Sequence, residues 1–167
     1  MNTLFDLLPG REIRSVCFTG HRQVPFSPML NTRLRKAVKE LIGDGAIDFY
    51  AGGALGWDML CARVVLSLRS GYPDIRLHMI LPCPAEEQSG KWSLADRKVF
   101  NEVLKLADSV EVLSPRYYDG CMKKRNLRLV EEADCCVCYY NPAQYASGTG
   151  QTVRMAEKKG IKVINLI

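Results

Sequence analysis

Short apolar runs alternate with longer stretches of helical periodicity along most of the chain. Ile13 to Phe18 reads as a strand that ends abruptly at Thr19-Gly20. Ser27-Pro28 then supplies an N-cap and a first-turn proline. Leu30, Leu34, Ala37, Val38, Leu41 and Ile42 follow at helical spacing until Gly43 or Gly45 stops the helix. Ile47 to Ala51 is a second strand. Leu55 to Leu68 is apolar on nearly all sides, as expected of a helix packed deep against a sheet. Ile75 to Leu81 makes a third strand, closed by Pro82-Cys83-Pro84. Ser93 with Asp96 resembles a capping box opening a helix to about Leu106. A strand over Ser109–Leu113, a helix around Lys123–Glu132, a cysteine-rich strand, a loop over Asn141–Ala146, a helix over Gly150–Lys159 and a last strand over Lys162–Leu166 complete the pattern.

This order is βα repeated five times with a final strand. It predicts an α/β fold, a Rossmann-like open and mostly parallel sheet with right-handed crossovers and helices on both faces. No linker, low-complexity segment or repeat interrupts it, so residues 1–167 are expected to form a single domain.

Composition narrows the class. The hydrophobic fraction of 47% and charged fraction of 25% are those of an ordinary soluble protein. No apolar run approaches the roughly 20 residues that span a bilayer, and the N-terminal stretch lacks the pattern of a secretory signal. A cytoplasmic chain with no membrane partner is the simplest reading. Seven cysteines, an odd number without framework spacing, agree with it. Cys135, Cys136 and Cys138 fall in one strand, where alternate side chains point to opposite faces, so they are read as buried small hydrophobes with no metal site implied. The net charge of +5 is modest. Basic clusters at Arg33-Leu34-Arg35-Lys36 and Lys123-Lys124-Arg125 read as solvated helix faces, with attraction of anions or nucleic acid as the alternative.

In an open parallel sheet, ligands bind beyond the carboxyl ends of the strands, and the unusual loops lie there. Thr19, Gly20, His21 and Arg22 follow the first strand: the glycine permits a sharp turn or close approach, and the arginine offers a planar fork to phosphate. Gly52, Gly53, Ala54, Leu55, Gly56, Trp57 and Asp58 follow the second. Glycines opening a buried helix are expected to leave backbone N–H groups free for an anion, although the spacing is neither G-x-G-x-x-G nor a P-loop. Asp58 either accepts hydrogen bonds from ribose hydroxyls or compensates the helix dipole, and is a weak catalytic candidate. Ser147, Gly148, Thr149, Gly150 and Thr152 open the last helix with hydroxyls and glycines suited to phosphate. Arg125 and Asn126 are placed to reach the same crevice. Trp92, Arg97 and Asn141 are lesser candidates, Trp92 either stacking on a base or covering the core.

Taken together, Thr19-Gly20-His21-Arg22, Gly52-Gly53-Ala54-Leu55-Gly56-Trp57-Asp58, Arg125-Asn126 and Ser147-Gly148-Thr149 with Thr152 resemble the YpsA-like branch of the SLOG superfamily. That superfamily is related to the DNA-processing protein DprA and the LOG nucleotide hydrolases. The resemblance runs from about Ile13 to the C-terminus. It implies a Rossmann-like sheet whose glycine loops bind a nucleotide or nucleotide-derived ligand such as ADP-ribose, NAD or a nucleoside monophosphate.

LOG-type members cleave the N-glycosidic bond of nucleoside 5′-monophosphates with an arginine and a glutamate in a P-G-G-x-G-T-x-x-E motif. Here Thr152 stands where that glutamate would be, and Ala146-Ser147 replaces the leading glycines. Threonine supplies neither negative charge nor a general base, and Glu157 lies more than a turn further along. The leading expectation is therefore binding or sensing of a nucleotide-type ligand, with no certain cofactor. Hydrolysis through Asp58 and DprA-like binding of single-stranded nucleic acid are the alternatives. Apolar helix faces at the sheet edges are compatible with a homodimer.

Overall fold

The computed structural model describes residues 12–167; the reading of Met1–Arg11 as no secretory signal lies outside them. The elements follow in the order β1 (Ser15–Gly20), α1 (Pro28–Gly43), β2 (Asp48–Ala51), α2 (Trp57–Leu68), β3 (Arg76–Leu81), α3 (Ala85–Ser89), α4 (Leu94–Leu106), β4 (Ser109–Val112), α5 (Cys121–Glu132), β5 (Cys135–Tyr139), a 3₁₀ turn (Pro142–Gln144), α6 (Gly148–Lys159) and β6 (Lys162–Asn165).

The six strands form one parallel sheet in the order β4-β3-β2-β1-β5-β6. The expected Rossmann-like α/β architecture is present. From β1 the chain steps outward to β4, and α5 then carries it back across the other face to β5, beside β1. The order therefore reverses between β1 and β5, the topological switch point where such sheets leave a crevice.

Side-chain alternation along the strands divides the core into two layers. Val16, Phe18, Phe49, Leu77, Met79, Cys135 and Val137 pack with α1, α2 and α4. Cys17, Ile80, Cys136 and Cys138 pack with α5 and α6. The three cysteines of β5 are thus split between opposite faces. All seven cysteines are free and buried. Among the described residues no helix is long and apolar enough to cross a membrane.

The caps follow the sequence. Ser27 Oγ accepts from the Leu30 N–H at 3.1 Å and Ser93 Oγ from the Asp96 N–H at 3.1 Å, each satisfying an amide that a helix start leaves open. Several boundaries differ from expectation. β1 continues through Thr19-Gly20, which pair with Cys138 and Tyr139 of β5. The expected turn is instead the last rung of the switch-point ladder. α6 starts at Gly148, because Ser147 is its N-cap and accepts from the Gly150 N–H. α3 was not expected at all. β4 is a strand, but an exposed edge rather than a core element, and Leu113 lies beyond it.

Candidate functional site

A cavity of about 310 Å³ opens at the switch point, above the ends of β1 and β5. Thr19, Gly20, His21 and Arg22 form one wall; Ala54 and Asp58 close the α2 side; Met122, Arg125 and Asn126 descend from α5; Ser147, Gly148 and Thr149 open α6 opposite them. Four segments far apart in sequence meet here because β1 and β5 are neighbours and α2 starts against the turn after β1.

That closeness depends on glycine. A Cβ on Gly20 would lie 2.4 Å from the Trp57 ring, which is itself fully buried. Gly56 has φ +82°, and a Cβ there would lie 2.2 Å from the Arg22 carbonyl oxygen, so both its backbone conformation and its clearance require glycine. The Trp57 N–H donates to the His21 carbonyl at 3.2 Å, tying the start of α2 to the loop after β1.

Two of the amides expected to be free around the start of α2 are engaged within the chain. Besides Trp57, the Ala54 N–H donates to Asp58 Oδ2 at 3.3 Å. Asp58 is the anion of this helix start, only 5% exposed. Gly52, Gly53 and Gly56 do not line the cavity; the Gly52 carbonyl accepts from the Arg125 guanidinium, and a Cβ on Gly53 would meet Phe100 at 2.9 Å.

The start of α6 leaves its first amides open. Ser147 Oγ takes the Gly150 N–H at 3.1 Å, and the Ser147 carbonyl takes the Gln151 N–H at 3.0 Å. The Gly148 and Thr149 amides find no acceptor among the described residues and stand at the positive end of the helix dipole. Gly150 sits behind them, where a Cβ would meet the Tyr145 carbonyl at 2.4 Å. Thr152 is fully buried and donates through Oγ1 to the Gly148 carbonyl at 2.9 Å; it braces the first turn of α6 and is absent from the cavity wall.

Charge is concentrated at the floor. Arg125 is 3% exposed; its guanidinium donates to the Gly52 carbonyl and, through Nε, to Asn126 Oδ1 at 2.8 Å. Burial pulls its pKa down, opposed by the field of Asp58. Burial pushes the Asp58 carboxyl up to about 6, with Arg125 and the Ala54 amide acting in the opposite sense. The two charges face one cavity without forming a direct ion pair. Arg22 is exposed at the mouth. His21 accepts the Asn141 N–H on Nε2 at 2.9 Å, which requires a neutral ring, and burial lowers its pKa. It fastens the loop after β5 and adds no charge.

Of the lesser candidates, Asn141 caps the 3₁₀ turn through the Ala143 N–H at 3.0 Å. Arg97 lies on the outer surface of α4. Trp92 packs against Phe100, ring centroids 5.1 Å apart, and lines a second cavity of about 440 Å³ next to the first. Met122 was not singled out from the sequence. Its signal was available: it precedes Arg125 by three residues and Asn126 by four, on one helix face.

Comparison with known proteins adds family and fold. The YpsA family model, described as the YspA SLOG family, matches residues 17–166. A UPF0398 protein of Shouchella clausii is 30% identical over 150 residues, covering 83% of this chain and 79% of that protein. A UPF0398 protein of Halalkalibacterium halodurans is 31% identical over 116 residues, 66% of this chain and 60% of the relative. Among solved structures, DNA processing protein A from Helicobacter pylori superposes with a TM-score of 0.62 at 20% identity, over 90% of this chain and 63% of that one. Its structure is described for its single-stranded DNA binding mode. The chain thus spans less than two thirds of the Halalkalibacterium relative and of the solved protein.

Proposed function

The chain belongs to the YspA SLOG family, and from that premise we propose that its switch-point crevice binds a nucleotide or nucleotide-derived phosphate ligand. The observation that carries the reading is the start of α6. Two adjacent amides, Gly148 and Thr149, lack acceptors among the described residues at a helix N-terminus, and Arg22 and Arg125 share their cavity. Free N–H groups, a helix dipole and guanidinium groups converging on one volume are the elements of a phosphate site.

Binding without turnover fits the lining best. Asp58 is the one carboxylate among the lining residues, and its Oδ2 accepts the Ala54 amide. The position where the LOG motif carries its glutamate is Thr152, which is buried behind the wall and supplies no carboxylate. Incubation with nucleoside 5′-monophosphates should release no base by chromatography.

Isothermal titration and thermal shift with AMP, ADP-ribose and NAD test the binding directly. A ligand present at 100 times its Kd should add about 2.7 kcal/mol of stability. Gly148→Ala is the informative variant, because the added Cβ has nothing nearer than Asn126 Nδ2 at 3.9 Å. The fold should keep its stability to within about 0.5 kcal/mol, while the methyl group, placed beside the free amides, weakens binding about tenfold or more. Failure of all three ligands to bind at millimolar concentration would reject the reading.

A second reading, binding of a single nucleic-acid strand, draws on the solved relative's described DNA binding. It predicts affinity that falls steeply with salt, readable by gel shift at low and high ionic strength.

A further inference from the structure

The phosphate cavity does not end at Arg22. It continues into the second cavity of about 440 Å³, and Arg22, Ala54 and Met122 belong to the walls of both. The two halves differ in chemistry. Arginines and free amides dominate the first. The second is walled by Trp92, Tyr117 and Met122, and the charges on its rim, Glu87 and Lys91, are of opposite sign. Away from the shared Arg22, a phosphate finds Lys91 offset by Glu87, whereas a flat uncharged ring gains aromatic contact.

We propose that this second cavity is a nucleobase subsite, so that the ligand is a 5′-phosphorylated nucleoside lying across Arg22, its base against Trp92 and Tyr117 and selected for an exocyclic amine by Gln88. The inference rests on the phosphate reading of the first cavity.

Three observations support it. Tyr117 is 58% exposed although its backbone is anchored, its N–H donating to Glu87 Oε2 at 2.5 Å. An aromatic ring held at a cavity mouth with its surface uncovered is the arrangement that stacks on bases. Trp92 is half-buried, its ring braced by Phe100 with the planes inclined by 59°, so it offers a fixed wall rather than a mobile one. Gln88, from α3, donates through Nε2 to the Gly52 carbonyl at 3.4 Å, which sets the amide so that Oε1 is the free end. That oxygen is buried and has no hydrogen-bond partner among the described residues. A buried acceptor without a donor is unfavourable, and a small rotation of the amide presents it to the amine of adenine or cytosine. The same Gly52 carbonyl accepts from Arg125, so one backbone group links the base-reading side chain to the phosphate-side arginine.

Titration calorimetry on the whole chain with AMP, purine riboside 5′-monophosphate and ribose 5-phosphate tests the proposal. The second probe lacks only the exocyclic amine and the third lacks the base. AMP should bind about tenfold or more tighter than ribose 5-phosphate, the order expected for stacking on aromatic side chains. Tyr117→Ala, which keeps the anchoring N–H and leaves no core gap, should weaken AMP severalfold and leave ribose 5-phosphate unchanged. Gln88→Leu should abolish the preference for AMP over purine riboside 5′-monophosphate. AMP should also quench the emission of Trp92 in a Trp57→Phe background. Equal affinity of AMP and ribose 5-phosphate would overturn the base subsite while leaving the phosphate reading intact. Equal weakening of both by Tyr117→Ala would overturn it too. If none of the three probes binds, the phosphate reading fails and the subsite with it.

Discussion

Gly20 and Trp57 show how one missing methyl group sets the width of the crevice. Alanine at position 20 would put its Cβ 2.4 Å from an indole that is fully buried, whose Nε1 donates to the Val137 carbonyl at 3.4 Å. The indole cannot retreat, so Gly20→Ala should destabilise by about 1–3 kcal/mol, the ordinary range for overpacking. Gly43→Ala, with nothing within 4 Å of the added Cβ, should change stability by less than about 0.5 kcal/mol. Urea denaturation of the pair separates the two cases. Local sequence shows that Gly20 ends a strand, but not that a tryptophan from another element occupies the space beside it. Eleven of the sequence-predicted positions line one cavity, whereas Gly52, Gly53, Gly56, Gly150 and Thr152 stand behind it. The letters alone do not separate a glycine that faces a ligand from one that lets two backbones touch, because both uses need only the missing side chain.

Helices and strands were largely readable from periodicity, and the exceptions have local causes. α3 is a five-residue helix after Pro82-Cys83-Pro84, too short to display a 3.6-residue repeat. β4 has an apolar alternation in Val110 and Val112, yet both side chains are exposed, because burial depends on a neighbouring strand that the edge position denies it. The ends of α5 and α6 were also not legible as a pair. Lys159, in the last turn of α6, donates through Nζ to the Val130, Glu131 and Ala133 carbonyls at 2.9, 2.8 and 2.9 Å, closing the C-terminus of α5. A cation there satisfies orphan carbonyls and complements the dipole. Lys159→Met should cost about 1–2 kcal/mol, and hydrogen exchange should quicken in the last turn of α5 before the strands respond.

Over the whole molecule, the burial of Asp58 couples stability to pH. Burial raises the Asp58 carboxyl from its ordinary 3.8 to about 6, so the folded chain keeps that proton where the unfolded chain has released it. The contribution to stability is fully present below about pH 4 and is lost as pH rises through about 6, a change of about 3 kcal/mol in all. In Asp58→Asn this part of the slope should vanish, as chemical denaturation at about pH 4.5 and pH 7.5 would reveal. The βαβ alternation, the helix caps, the alternation of the β5 cysteines between opposite faces and the loops at the strand ends all follow from sequence, since each depends on neighbours a few residues apart. The strand order, and with it the switch point between β1 and β5, does not. Parallel pairing is set by which crossover packs on which face, a choice among long-range contacts that no local pattern encodes. Only that choice brings Arg22, Asp58, Arg125 and Gly148 around one cavity and sets the Trp57 amide on the His21 carbonyl.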